Sequence, residues 1–341
     1  MTVNISKPSI NIREKLAELD KPSGIAGEAV LRADSVQEIR NQIGAGRKNL
    51  IINGDMRISQ RGSWTSATSA VNGNHTLDRW EVHFGSVTAT AQDTGKKLKI
   101  VATATNSSAY LIPQQQVEFH TDYAGRTVTA SAKITSNNTN ARLVINDGVS
   151  NFSSTAHSGN GEEELLSVTA TLSTSPTTLK VRPIIATAIS SSVSITSGDY
   201  IEFGDVQLEL GSVATDFEHR SYGEELALCQ RYCYVIAPTT TNKLMLWGTG
   251  NGTSNTVTTH RHPVQMRGEP ALTYSALADF IIYDFGDATS LGSVTGITLV
   301  TSISTDQWAY LQLTASSAIT GVGKMVRSVG TSAKLTFDAE L

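Results

Sequence analysis

The amino-acid sequence predicts a mainly β protein with a short helical N-terminal leader, a jelly-roll β-sandwich, a linking helix and a second, C-terminal β-sandwich domain. Three observations predict this class. Short runs of β-branched and apolar residues, separated by Asn, Gly and Ser clusters, recur from residue 50 to the end. Helical spacing of apolar residues is confined to the first 48 residues and one stretch after residue 220. Hydrophobic residues make up 39% of the 341 residues, which is enough for real cores.

Composition excludes several partners. The chain has 27 Lys and Arg against 31 Asp and Glu, a net charge of -4, and no basic block, so neither nucleic acid nor an anionic membrane surface is expected to bind. Because no apolar run approaches the ~20 residues of a membrane helix, no membrane insertion is expected. Cys229 and Cys233 are predicted to be buried thiols in a reducing compartment.

Residues 1–48 form the predicted leader. Two apolar stripes at helical spacing, the second behind the capping-box sequence Ser35 to Glu38, predict two short helices. Such helices are marginal in water, so we expect them to dock on a symmetry mate or another protein; the alternative is a tail lying on its own sandwich. The predicted attachment residues are Ile12, Leu16, Leu19, Val36, Ile39 and Ile43.

Residues 49–220 form the predicted jelly roll. The apolar run in Asn49 to Met56 predicts a buried strand that pairs with Tyr200 to Gly211, and a change of side-chain parity at Gly204 and Asp205 predicts a β-bulge. Between them, short apolar or alternating runs predict a jelly roll of around eight strands. The further predicted strands are 76–84, 98–103, 110–119, 128–134, 142–146, 165–172 and 179–186.

Residues 221–341 form the predicted linking helix and second β-domain. Ser221 and Glu224 have capping-box spacing, and apolar residues three or four apart predict one amphipathic helix over residues 224–236, ended by Pro238. Strands are then predicted to the end of the sequence, with the last one tied into a sheet. They cover residues 243–247, 255–260, 264–266, 272–274, 280–285, 297–303, 308–313, 324–329 and 335–341.

Several segments together resemble a known group of proteins. They are NLIINGDM (49–56), SQRG (59–62), TLDRW (76–80), QQQVE (114–118), GDVQLELGSVATDFEHRSYGEELALCQRYC (204–233), PVQMRG (263–268) and FDAEL (337–341). This series resembles bacteriophage tail-fibre and virion appendage proteins, which carry a carbohydrate-binding-module-like jelly roll and a second β-domain. Residues 21–49 resemble the N-terminal leaders of such proteins.

The resemblance implies a structural protein of the virion, made in the cytoplasm of the bacterial host. It implies a homotrimer that attaches through residues 1–48 to other virion proteins such as tail, portal or adaptor proteins. The β-domains would face outward and bind host surface glycans without catalysis, with several copies acting at once. The alternative is a head or collar decoration protein that stabilises the particle. A polysaccharide-depolymerising spike is less expected.

No common catalytic signature occurs in the sequence, so neither enzymatic activity nor a cofactor is expected. The acidic run Glu162 to Glu164 is interpreted as a solvated turn, because glycoside cleavage needs two carboxylates on opposite sides of a bond. The cluster His260 to His262 lacks further residues at metal-ligand spacing and is interpreted as a surface loop.

Binding residues are predicted from the chemistry of sugars and cations. Exposed aromatic rings stack on pyranose rings, which makes Trp64, in a loop-like stretch, the first candidate. Trp247 and Trp308 are weaker candidates, because each lies in a strand pattern typical of a core residue. No metal site is expected, although the sequence offers three weak candidate calcium ligands for which turn capping is the favoured role. They are Asp55, Asp78 and Asp205.

Overall fold

The computed structural model describes residues 48–187, 192–251, 253–284, 290–317 and 323–341. The predicted attachment residues, Ile12, Leu16, Leu19, Val36, Ile39 and Ile43, lie outside these ranges. Within them the chain is mostly β, as predicted, with one α-helix. No helix of the described residues has the length and apolarity needed to cross a membrane.

Thirteen strands precede the helix and form a two-layered sandwich. In chain order they are β1 (Thr68–Ser69), β2 (Asn74–His75), β3 (Glu81–Gly85), β4 (Ala89–Asp93), β5 (Leu98–Ala102), β6 (Asn106–Gln116), β7 (Thr127–Ser136), β8 (Ala141–Asn146), β9 (Asn151–Ser153), β10 (Glu163–Thr171), β11 (Lys180–Ile185), β12 (Val193–Ile195) and β13 (Tyr200–Leu210). Sheet A has the order β1-β4-β5-β13-β7-β10. Sheet B has the order β2-β3-β6-β11-β8-β9, and β12 pairs with β6.

The sandwich core lies between the inner faces of sheets A and B. Trp80 and Phe203 meet edge to face with ring centroids 5.1 Å apart, and both side chains are fully buried. The Trp80 indole Nε1 donates a hydrogen bond of 2.9 Å to the Asn53 carbonyl, so its polar edge is satisfied inside the core. Along β7, Val128 and Ala130 are fully buried, as the sequence pattern predicts, but Thr129 and Ser131 on the other face are also buried, at 2% and 5% exposed.

Residues 49–56 lie beside β13 as predicted, but the prediction of a strand is wrong. The Leu50 amide donates to the Leu208 carbonyl at 2.8 Å, whereas other backbone groups of the segment bond to side chains. The Asn49 side chain accepts from the Leu208 amide and donates to the Val206 carbonyl, and so replaces part of a strand ladder. The segment is therefore held by side-chain hydrogen bonds.

The β-bulge predicted in β13 is confirmed. Pairing of β13 with β7 changes register between Gly204 and Gln207, and Asp205 has a φ of 48°. A Cβ on Gly204 would lie 2.5 Å from the Lys96 carbonyl oxygen, so glycine permits the close approach of that loop. The strand predicted at residues 76–84 is wrong for residues 76–80, which form the turn between β2 and β3, and is confirmed for residues 81–84, which lie in β3.

The helix, α1 (Tyr222–Gln230), has the predicted capping box between Ser221 and Glu224. Its predicted extension to residue 236 is wrong: the chain turns after Gln230 and continues as strand β14 (Cys233–Ile236). Pairing with the last strand of the chain gives β14 a ladder that a longer helix would lack. Cys229 and Cys233 are buried free thiols, as predicted.

The strands after α1 form a small sheet and a barrel. After β14 they are β15 (Leu244–Gly250), β16 (Asn255–Arg261), β17 (Ala271–Tyr274), β18 (Phe280–Asp284), β19 (Ser290–Leu299), β20 (Trp308–Ala315), β21 (Lys324–Ser328) and β22 (Leu335–Asp338). The small sheet has the order β14-β22-β17, and six strands close a barrel in the order β15-β16-β20-β19-β18-β21. The predicted strand at residues 264–266 is absent from this described region.

His260 and His262 are packed inside the protein, so their interpretation as a surface loop is wrong. The His260 ring stacks on Tyr234 with centroids 5.4 Å apart and on Phe337 at 5.9 Å. His262 meets Phe337 edge to face at 5.0 Å, and its side chain is 4% exposed. Burial, followed by the neighbouring His260, lowers the pKa of His262 to about 4, so this imidazole is neutral at pH 7.

Buried ion pairs join the sandwich to the end of the chain. Arg79, 3% exposed, pairs with Glu340, and Arg61 binds the same carboxylate at 2.9 Å. A second ion pair connects the sandwich to the residue that follows α1: Arg231 donates two hydrogen bonds to Glu118, at 2.8 and 3.1 Å. Arg79 and Glu340 face one another away from water, whereas Arg231 and Glu118 are 32% and 16% exposed. Removal of Glu340 would therefore leave Arg79 buried without its counter-charge.

Candidate functional site

A cleft of about 380 Å³ lies on the outer face of sheet B. Side chains alternate along β6 and β11: Leu111 and Ile185 belong to the sandwich core, whereas Ile112 and Ile184 form a separate apolar cluster on the other face. The cleft, which we name the sheet B cleft, is lined by Glu81, His83, Tyr110, Ile112, Gln114, Lys180, Arg182 and Leu341.

Strand register places three polar side chains of the cleft in one row. Glu81 on β3 lies opposite Gln114 on β6, and the pairing of β11 with β6 brings Arg182 to the other side of Gln114. The Gln114 amide donates to Glu81 Oε2 at 2.7 Å, and its carbonyl accepts from Arg182 Nε at 2.9 Å. Gln114 is therefore fixed in orientation by a donor on one side and an acceptor on the other.

Gln114 accepts a hydrogen bond from one nitrogen of the Arg182 guanidinium, and another nitrogen of this group has no such bond in the described part of the chain. Arg182 is 8% exposed, and its Nη1 is buried without a hydrogen-bond partner among the residues that the structure describes. A buried charged donor without a partner is costly to the fold. Since Arg182 lines the cleft, a ligand with an acceptor oxygen would satisfy this group.

The ring of Tyr110 lies over a glycine. Gly85 on β3 faces Tyr110 on β6, and a Cβ on Gly85 would lie 2.4 Å from Cε1 of the ring. Any other residue at position 85 would displace the ring. Tyr110 is half-buried and packs on the apolar cluster that contains Ile112, so part of the aromatic surface faces the cleft.

His83 completes the polar wall. Its Nε2 lies 3.0 Å from Glu81 Oε1, while the other Glu81 oxygen is bound by Gln114. The His83 side chain is 36% exposed, so water and ligands can reach it. Both carboxylate oxygens of Glu81 are therefore occupied by groups of the protein.

The protein environment keeps the cleft charged at neutral pH. Burial raises the pKa of Glu81, but hydrogen bonds from His83 and Gln114 outweigh it and hold that pKa at about 2. Burial lowers the pKa of Arg182 to about 10 and, with the charge of Arg182, also lowers the pKa of Lys180. At pH 7 the cleft thus presents two cationic side chains and one carboxylate.

This arrangement suits polyhydroxylated ligands. A half-exposed aromatic ring offers an apolar face to a pyranose ring, and fixed amide, carboxylate and guanidinium groups match its hydroxyls. Among the residues that line the cleft in the described structure, Glu81 is the single side-chain carboxylate. Its lowered pKa makes it a poor proton donor, and glycoside cleavage ordinarily uses a second carboxyl group.

The three predicted tryptophans occupy different environments. Trp64 is half-buried against the sandwich core, and its Nε1 is buried without a hydrogen-bond partner. Trp247 and Trp308 are 51% and 45% exposed on the barrel, although their strand patterns are typical of core residues. The sheet B cleft includes none of the three.

The candidate calcium ligands have separate partners. Asp55 pairs with Arg57, and Asp205 binds Lys133 at 2.8 Å. Asp78 is fully buried and accepts from the Gln60 amide at 3.0 Å. Across the described ranges, no three His, Cys, Asp or Glu side chains are grouped to hold a metal ion.

Sequence reasoning missed the residues that line the sheet B cleft. Polar residues at alternate positions, such as Glu81 and His83 on one strand and Lys180 and Arg182 on another, were a usable signal. That signal does not tell which strands are neighbours. The order β3-β6-β11, which brings residues 81, 114 and 182 together, comes only from the folded chain.

No family model and no curated protein matches this sequence. Solved structures with similar folds include a family 29 carbohydrate-binding module, at 7% identity over 42% of this chain and 85% of that one, with a TM-score of 0.28. A family 11 module of a Clostridium thermocellum cellulase matches at 9% identity over 47% of this chain and all of that chain, with a TM-score of 0.27. A tandem of family 22 modules from Paenibacillus barcinonensis matches at 11% identity over 83% of this chain and 99% of the tandem, with a TM-score of 0.26.

Proposed function

We propose that this protein binds glycans without cleaving them, and that the sheet B cleft is the binding site. The observation that carries the proposal is the side chain of Arg182, which is 8% exposed, lines the cleft and has a buried Nη1 without a hydrogen-bond partner. Next to it lie an aromatic ring over glycine and a fixed row of hydrogen-bonding side chains. Together they offer the stacking surface and the directional contacts that a saccharide needs.

The charges of the cleft favour an acidic saccharide. Lys180 and Arg182 are cationic at pH 7, and Glu81, the one side-chain carboxylate among the described lining residues, already binds His83 and Gln114. A uronic-acid carboxylate could accept hydrogen bonds from the unpaired guanidinium nitrogen and from the ammonium group. A neutral sugar would leave that nitrogen without a charged partner.

The biological setting we propose is an appendage of a bacteriophage particle. The support is the sequence resemblance of residues 49–341 to tail-fibre and appendage proteins, together with a leader whose short apolar stripes need a partner. In this proposal the protein is a homotrimer in the virion, attached through residues 1–48. Three copies would turn weak glycan contacts into firm attachment to the host surface.

Calorimetric titration of the full chain with oligogalacturonate, and with a neutral galactose oligomer as comparison, tests the binding site. Arg182→Gln should weaken binding of the acidic oligomer about tenfold, the loss of roughly one charge-assisted hydrogen bond. Arg142→Gln is the matched control, since Arg142 lies on neighbouring strand β8 outside the cleft lining. Equal affinity of Arg182→Gln and wild type would contradict the proposed site.

A second measurement separates binding from cleavage. The full chain is incubated with acidic polysaccharide extracted from host cells, and newly formed reducing ends are counted over time. A binder retains the polymer and releases no short sugars. Steady release, lost in Glu81→Gln, would contradict the non-catalytic proposal.

A further inference from the structure

The outer wall of the barrel carries a second aromatic surface. Thr259 on β16 lies opposite Tyr310 on β20, and the register of β15 with β16 brings Trp247 to the other side of Thr259. Trp247 is 51% exposed, Thr259 is exposed and Tyr310 is half-buried. Two aromatic side chains therefore stand on either side of a threonine, one strand away in each direction.

A groove of about 470 Å³ lies between these two side chains. None of the described residues that line it is charged; they are Trp247, Gly248, Thr249, Val257, Thr258, Thr259 and Tyr310. Its hydroxyl groups come from threonines and one tyrosine, and its apolar surface comes from two aromatic rings and a valine. The sheet B cleft, in contrast, is lined by three charged side chains, Glu81, Lys180 and Arg182.

The spacing of the strands gives the groove its width. Trp247 and Tyr310 lie two strand spacings apart, which places their backbones about 9.5 Å from each other. A flat sugar ring in contact with an aromatic ring on each side needs about 7 to 8 Å between those rings. The groove is thus wide enough for one pyranose ring between its aromatic walls.

Glycine at position 248 keeps the backbone beside the groove close to the next strand. A Cβ on Gly248 would lie 2.4 Å from the Val257 carbonyl oxygen, so a larger residue would push β15 away from β16. The Thr258 hydroxyl donates to the Trp247 carbonyl and fixes the two strands at this point. The positions of the aromatic walls are therefore set by the barrel and not by a mobile loop.

The neighbouring cation is engaged elsewhere. Arg261 lies opposite Trp308 in the next row of the wall, with its guanidinium carbon 5.7 Å from the centre of the indole ring. This contact holds the charge over Trp308.

We infer that the groove between Trp247 and Tyr310 is a second saccharide site, which binds a neutral sugar ring. The two aromatic side chains stack on the ring faces, and the hydroxyls of Thr249 and Thr259 bond to its equatorial hydroxyls. The uncharged lining that the described residues provide selects against uronic acids, because a carboxylate would lose its hydration there without gaining a counter-ion. The inference is independent of the sheet B cleft, since the two sites share no residue.

The test uses the full chain and three neutral probes, maltohexaose, cellohexaose and mannohexaose, with binding measured by calorimetric titration and by saturation-transfer NMR. At least one probe should bind to the wild-type protein. The double variant with Trp247→Ala and Tyr310→Ala should bind that probe about tenfold more weakly or worse, since each lost ring contact is worth roughly 1 kcal/mol. Tyr283→Ala is the control, because Tyr283 lies on the same barrel at β18, outside the groove lining and beneath Arg327.

Arg182→Gln separates this inference from the proposed function. It should leave neutral binding unchanged while it weakens binding of oligogalacturonate. If none of the three probes binds, or if the double variant binds them as well as wild type does, the groove is not a site for neutral saccharides. If the double variant instead lowers the sedimentation coefficient of an oligomer, the aromatic wall is a contact between copies, and the inference is overturned.

Discussion

The sandwich and the barrel both expose aromatic residues on strands, but they surround them differently. In the sheet B cleft, Tyr110 stands beside a row of charged and amide groups that bond to one another. In the barrel groove, Trp247 and Tyr310 face each other across uncharged threonines. The comparison teaches that an aromatic residue does not define a ligand by itself: its polar neighbours decide which sugar chemistry the surface can accept.

The largest expected effect concerns the joint that holds the two regions together. Glu340→Ala should lower the free energy of unfolding by about 3 to 5 kcal/mol, because Arg79 would remain buried without its counter-charge and Arg61 would keep Asp338 alone. The measurement is calorimetric unfolding. We expect one transition in wild type and separate transitions for the sandwich and the barrel in the variant.

Glu163→Gln is the control for this variant. Lys97 and Glu163 form an ion pair at 2.6 Å, but their side chains are 30% and 41% exposed. An exposed pair contributes about 1 kcal/mol or less. A loss from Glu163→Gln as large as that from Glu340→Ala would show that burial does not govern these ion pairs.

The second prediction separates the two regions by pH. The pKa of His262 in the barrel region is about 4 in the folded chain against 6.5 for a free side chain. The unfolded state therefore takes up the proton first, and stability falls as the pH drops from 6.5 to 4, by up to about 3 kcal/mol. The pKa of Glu81 in the sandwich is lowered from 4.5 to about 2, so its contribution is lost only between those values. As the pH is lowered, peptides from the barrel should therefore lose protection against amide hydrogen exchange at a higher pH than peptides from the sandwich.

His262→Phe sharpens this result. Neither ring nitrogen of His262 has a hydrogen-bond partner, so phenylalanine removes a titrating group without removing a bond. We expect the variant to keep its barrel protection at pH 5. Unchanged acid sensitivity in His262→Phe would show that another group causes the loss.

The third prediction concerns the aromatic ring of the sheet B cleft. Gly85→Val should displace Tyr110 and weaken binding of oligogalacturonate about tenfold, the value of one stacking contact. The measurement is calorimetric titration. Gly223→Ala, in α1 with no atom within 4 Å of its added Cβ, should leave binding unchanged and raise stability by about 0.5 to 1 kcal/mol. If Gly85→Val binds oligogalacturonate as well as wild type does, Tyr110 is not part of the binding site.

The smallest expected effect is that of salt. Binding of an acidic oligomer by Lys180 and Arg182 should weaken a few-fold between about 0.05 and 0.5 M salt, because ions screen partly exposed charges. Binding of a neutral oligomer in the barrel groove should stay constant over the same range. Equal salt dependence of the two affinities would contradict the difference in charge between the two surfaces.

The fold class could be predicted from the sequence because alternation and turn residues are local signals. The bulge at Gly204 and Asp205 and the capping box at Ser221 were found for the same reason. The segment at residues 49–56 was misjudged because its hydrogen bonds go to distant side chains, such as that of Gln115, which no local pattern reveals.

The candidate site was beyond local signals. Trp64 was favoured because a loop tryptophan is often exposed, yet it packs against the sandwich core. Trp247 and Trp308 were ranked as weaker candidates because their strand patterns are typical of core residues, yet the barrel turns them outward. The cleft depends on Gly85, Tyr110 and Arg182, which are 25 and 72 residues apart along the chain and meet only through the order of the strands.

A crystal structure of the full chain soaked with oligogalacturonate tests the central claim most directly. We predict a sugar ring against Tyr110 and a carboxylate oxygen within hydrogen-bond distance of Nη1 of Arg182. An acidic oligomer bound elsewhere on the protein, with the sheet B cleft unchanged, would contradict the account.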